Sequence, residues 1–159
     1  MFTTLNKSTH MKYSFFISLA LAGLLTACAA RSPDDAKAVQ GNWRPIKAEL
    51  GGQPMSDAIL KSISLKLESG KYEVFAENTP DRGTYTLDST SMPKGMTITG
   101  TEGPNHSKTF PAIYELSGDT LRICYDLSGA KRPTEFKSVA GTQLYLVSYS
   151  RTKDQPVKP

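Results

Sequence analysis

The feature that most constrains this chain is an alternation of apolar and polar residues with period two, repeated along its length. Residues 62–68, SISLKLE, put Ile63, Leu65 and Leu67 on one face with polar neighbours between them. Successive side chains of a strand point to opposite faces, so the pattern reads as a half-buried strand. KYEVFAE (71–77), RGTYTLD (82–88), GMTITGT (95–101), KTFPAIYEL (108–116), DTLRICYDL (119–127) and TQLYLVSYS (142–150) follow suit. With VQGNWRPIKAEL (39–50), eight strands result. Turn chemistry separates them at Ser69-Gly70, Asp81-Arg82-Gly83, Pro93-Lys94-Gly95, Ser117-Gly118-Asp119 and Gly141. Pro111 argues for an edge, a bulge or a strand start. QPMSDAILKSI (53–63) departs from the alternation. Pro54 lies near its start, Ser56 and Asp57 are cap candidates, and Ile59, Leu60 and Ile63 have helical spacing. The expectation is an all-β fold of eight short antiparallel strands in up-and-down order, with one short helix between strands 1 and 2. It forms a barrel or a sandwich, and closure into a barrel is favoured because it removes unpaired sheet edges.

The N-terminus carries a different signal. Lys12 precedes YSFFISLALAGLL (13–25), which has no charged side chain. This is the layout of a secretory signal and is too short for a membrane-spanning helix. Leu25-Thr26-Ala27-Cys28 resembles the bacterial lipobox, in which the cysteine thiolate accepts diacylglycerol. The expected organisation is a signal peptide over 1–27, lipidation at Cys28, a flexible tether over 28–38, a domain over 39–152 and a disordered tail over 153–159. Two or three acyl chains anchor a protein durably where one is marginal. Ala29 after the cysteine favours the outer membrane, facing the periplasm.

Removal of residues 1–27 takes away Lys7 and Lys12, so 17 of the 19 Lys and Arg remain against all 15 Asp and Glu. The balance is about +2, with no basic stripe, and it does not suggest a nucleic-acid partner. With Cys28 acylated, Cys124 has no disulfide partner and reads as a small buried apolar residue. His106 is then the only histidine, which leaves no Cys or His pair at metal-ligand spacing. No G-x-S-x-G elbow and no glycine-rich phosphate loop occur. No catalytic residue, metal or cofactor is assigned, and a non-enzymatic role is expected.

The stretches QGNWRPIKAELGGQPMSDAIL, GKYEV, GTYTLD, GMTITGTEGPNHSKTFPAIYELSGDTLRICYD, KRPTEFKS and LYLVSYSR together resemble a family of small bacterial lipocalin-like domains of planctomycete type. The likeness spans about residues 39–152. It implies a lipocalin-like barrel and no catalytic residues. Gly41-x-Trp43 also resembles the first-strand motif of lipocalins. In that motif the tryptophan plugs the narrow end of the barrel under an arginine from near the last strand, a part that Arg151 is placed to play.

An eight-stranded barrel is just wide enough for its own side chains or for one small ligand. Plausible interior residues are Leu65, Leu67, Val74, Tyr85, Leu87, Ile98, Ile123 and Leu146. Their bulk favours a largely filled barrel. Tyr85 and Tyr125 are candidate ligand contacts. GAKRPTEFKS (129–138) is the most distinctive loop. Lys131, Arg132, Glu135 and Phe136 either form a partner-docking rim, or Phe136 covers the barrel mouth while Arg132 pairs with a carboxylate. Two functions remain open: an envelope lipoprotein that binds a small apolar ligand or serves as a scaffold, and an interaction module such as an inhibitor or immunity protein of an envelope-targeted hydrolase.

Overall fold

The computed structural model describes residues 34–77 and 79–153. The expected signal peptide, the expected lipidation site Cys28 and most of the expected tail lie outside these residues. The described residues form nine strands and two short helices. They are α1 (Asp35–Ala38), β1 (Gly41–Leu50), β2 (Gln53–Pro54), α2 (Asp57–Ser62), β3 (Ile63–Glu68), β4 (Lys71–Ala76), β5 (Thr79–Asp88), β6 (Gly95–Glu102), β7 (Thr109–Ser117), β8 (Thr120–Asp126) and β9 (Leu144–Thr152). Each strand from β3 to β9 pairs antiparallel with the next, and β1 pairs with both β3 and β9. Eight strands therefore close an up-and-down barrel. β2 is a two-residue ribbon folded back on the end of β1 through Gly51 and Gly52, both at positive φ.

The helix between the first two barrel strands is α2. The Ser56 side chain accepts the Ile59 N–H, Asp57 lies in the first turn and Lys61 in the last, and Leu60 is the buried anchor. Ile63, read both at helical spacing and as the first apolar residue of a strand, opens β3. Asp81-Arg82-Gly83 is not a turn: it lies within β5, where the register to β6 shifts between Arg82 and Gly83. Pro45 and Pro111, two of the three prolines in long strands, sit where a missing N–H costs little. Pro45 adjoins a register shift that leaves Ile46 outside the β1–β9 ladder. Pro111 precedes Ala112, where the β7–β8 ladder begins.

The chain enters the barrel five residues before the expected boundary. Residues 34–38 are a helical turn whose Asp35 is buried, not a flexible tether. Its carboxylate takes hydrogen bonds from the Tyr114 hydroxyl (2.6 Å) and the Lys94 ammonium (2.7 Å). Burial raises the Asp35 pKa, but these two donors outweigh it and hold the group below the ordinary carboxylate value.

The barrel has a packed end and an open end. The packed end holds the chain entry, the 69–70, 89–94 and 118–119 turns, and the interior side chains of Val39, Trp43, Leu67, Tyr114 and Leu121. The open end carries residues 51–62, 77, 103–108 and 127–143.

Candidate functional site: an apolar cavity with a tyrosine wall

Trp43 forms the floor. It is fully buried, and its indole N–H donates to the Val39 carbonyl at 2.9 Å. The Arg151 guanidinium lies over the indole ring, 4.2 Å from its centroid. The same guanidinium donates to the Gln40 and Ala38 carbonyls and, from Nε, to Asp119 at 3.0 Å. Gly41 makes this approach possible. Its φ of +131° is poorly tolerated by other residues, and a Cβ there would meet Arg151 Nη1 at 2.7 Å. Gly41, Trp43 and Arg151 thus form one structural unit that shuts one end of the barrel.

Above the floor the interior is not filled. A cavity of about 470 Å³ opens at the other end, within the ~300–1,000 Å³ range of pockets that enclose one small ligand. The interior side chains are bulky, but those at the floor pack against one another and leave the upper half open. Leu65, Leu67, Met96, Ile98 and Phe110 make the apolar wall, while Leu50, Met55, Ile63, Pro104 and Leu127 approach the mouth. Val74 of the expected interior set lines the cavity, and Ile123 is core. Leu146 is not interior: β9 turns Tyr145, Val147 and Tyr149 inward, so Leu146 sits on the outer face.

The polar features are few and grouped. Tyr72, Tyr125, Tyr145 and Tyr149 line the cavity, with Tyr125 and Tyr145 stacked at 5.8 Å between ring centroids. Burial is the main reason their hydroxyls hold their protons: Tyr145 is pushed up to about 12, and Tyr72, Tyr125 and Tyr149 are also raised. All four remain neutral near neutral pH. Asp81, 8% exposed, is the only charged side chain among the described lining residues. Its Oδ2 accepts the Tyr72 hydroxyl (2.9 Å) and the Asn105 amide (3.0 Å), and its Oδ1 accepts the Asn105 backbone N–H (2.9 Å). These bonds fasten the 103–108 loop to the rim. Gly100 assists, since a Cβ there would overlap the Asn105 carbonyl.

Tyr125 is therefore a wall residue, whereas Tyr85 is buried outside the cavity with no hydrogen-bond partner for its hydroxyl among the described residues. Tyr72, Asp81, Asn105, Tyr145 and Tyr149 were missed as candidates. The signal for the last two was visible: Tyr145, Val147 and Tyr149 recur with period two in the final strand.

The 128–138 loop lies against the outer wall. Asp126 holds its start through the Ser128 N–H and hydroxyl and the Lys131 N–H. Among the described residues Arg132 pairs with no carboxylate. It donates to the Met96 and Ala112 carbonyls and to Thr97 Oγ1 (3.0 Å), running across Gly95, where a Cβ would press on it at 3.1 Å. Phe136 does not cover the mouth; the Arg122 guanidinium stands 4.3 Å from its ring centroid on the outer face. Glu135 pairs with Lys137. Cys124 is fully buried beneath this segment, its Sγ 3.4 Å from the Lys137 carbonyl, and burial raises its pKa.

No family model and no curated protein matches this chain. Among the described residues no three His, Cys, Asp or Glu side chains gather as a metal-ligand set would, and no helix is long and apolar enough to cross a membrane. The cavity is the feature on which a function can be built.

Proposed function

We propose that this chain is a bacterial envelope lipoprotein, anchored through Cys28, whose lipocalin-like barrel binds one small, largely apolar molecule and carries out no chemistry on it. The observation that carries this reading is the open cavity of about 470 Å³ beneath an apolar mouth. A barrel serving only as a scaffold gains by filling such a space, since voids forfeit packing contacts. Apolar surface transferred from water to these walls contributes roughly 25 cal/mol per Å². The Trp43–Arg151 floor supports the lipocalin-like reading, because it gives the barrel one shut end and one usable end. The interaction-module reading draws less support: Arg132 and Phe136 are already engaged within the chain. Native mass spectrometry of the full chain extracted from cells tests the proposal. One small molecule per chain is expected, and it should be absent from Val74→Trp, which places an indole in the cavity. A wild-type chain that neither carries nor takes up an apolar molecule would count against ligand binding.

A further inference from the structure

We infer that the cavity selects a cationic amphiphile, an organic amine or ammonium with an apolar body, over neutral or anionic molecules of the same size. The inference rests on the cavity being a ligand site and adds the charge of its occupant.

The wall carries one formal charge, that of Asp81, and no lysine or arginine among its described residues. The donors to Asp81 are the Tyr72 hydroxyl and two N–H groups of Asn105. All three are neutral, so they orient the carboxylate without cancelling its charge. The cation next to it in sequence, Arg82, is occupied elsewhere: its guanidinium pairs with Glu73 and, at 3.2 Å, with Glu102. A negative group in a pocket with low-dielectric walls attracts a cation far more strongly than the same group in water.

The tyrosines act in the same sense. Four tyrosine rings line the cavity, and wherever an aromatic face is presented to an ammonium its quadrupole attracts the cation. A carboxylate ligand would meet Asp81 with no positive side chain on the wall to pair with. A neutral alcohol could hydrogen-bond a tyrosine hydroxyl but would gain nothing from the charge. The layout also sets an orientation. Asp81 and Asn105 belong to the rim-side part of the wall, so the head stays near the mouth while the tail descends past Ile98 and Met96 to Leu67. The volume is about three times that of a ~150 Å³ cavity that accepts benzene, which suits a tail of about ten carbons.

Titration calorimetry of the full chain with decylammonium, decanol and decanoate, each below its micellar concentration, tests the inference. Decylammonium should bind at least about tenfold tighter than decanol, with decanoate weakest. Asp81→Asn keeps an oxygen acceptor for Tyr72 but removes the charge. It should bring the affinity ratio of decylammonium to decanol, measured within the same variant, down to about one. Decanoate or decanol binding as tightly as decylammonium, or an ammonium preference that survives Asp81→Asn, would overturn the selectivity and leave the cavity as a ligand site. Binding of none of the three would overturn both. Should Asp81→Asn fail to fold, the wild-type ranking still decides.

Discussion

Replacing Arg151 with methionine should loosen the barrel floor without touching the cavity wall. The guanidinium covers the Trp43 ring at 4.2 Å and donates to the carbonyls of Gln40 and Ala38. A partly desolvated cation over an indole is worth about 1 kcal/mol, and each hydrogen bond from a charged donor contributes at least ~1 kcal/mol. The expected loss is about 3 kcal/mol, or roughly 10 °C in Tm for a domain of this size. The Asp119 contact adds little, because that carboxylate is 81% exposed, so Asp119→Asn should cost under about 0.5 kcal/mol. Urea unfolding followed by fluorescence supplies both numbers, since Trp43 is the only tryptophan. A loss below about 1 kcal/mol for Arg151→Met, or equal losses for the two variants, would refute the view that Arg151 closes the floor.

Gly83→Ala should be among the most damaging single-methyl additions, at about 3 kcal/mol or outright failure to fold. A Cβ there would fall 2.0 Å from the Thr99 carbonyl oxygen and 2.6 Å from the Tyr72 ring, and expression with thermal unfolding would show it. Arg132→Met should cost about 2 kcal/mol by chemical denaturation, through loss of its bonds to the Met96 and Ala112 carbonyls, while ligand affinity stays within about twofold. Stability should also fall in acid. The Asp35 and Asp126 carboxyls, raised by burial but lowered further by their hydrogen-bond donors, titrate below the ordinary value. Their contribution is present above the unfolded-state pKa of about 4 and is lost as pH falls through the lower folded values. The urea midpoint should therefore drop between about pH 5 and pH 2, less steeply in Asp35→Asn; an unchanged slope in that variant would remove Asp35 from the explanation.

The barrel was legible because alternation is a local signal: β3, β4, β7, β8 and β9 each announce their two faces in five or six residues. The helix was legible through Ser56 and Leu60. The errors came where a residue's role depends on partners distant in sequence. Asp81-Arg82-Gly83 has turn composition, yet Gly83 is there because β6 passes too close for a side chain. Asp35 looked like tether because its partners, Lys94 and Tyr114, lie 59 and 79 residues away. The same holds for Arg132, whose acceptors are backbone carbonyls on two other strands. Alternation also leaves the inward face open, so Leu146 was placed inside although Val147 occupies that side. Cavity volume was illegible for a further reason: large side chains can pack against one another at one end as readily as fill both.

The open interior is tested most directly by titrating the full chain with N-phenyl-1-naphthylamine, a neutral apolar dye that brightens on leaving water, alongside Val74→Trp. With the cavity of about 470 Å³ available, the wild-type chain should show saturable 1:1 binding that Val74→Trp abolishes while keeping its unfolding transition. Non-saturable brightening, or equal binding by a folded Val74→Trp, would contradict a ligand cavity inside the barrel.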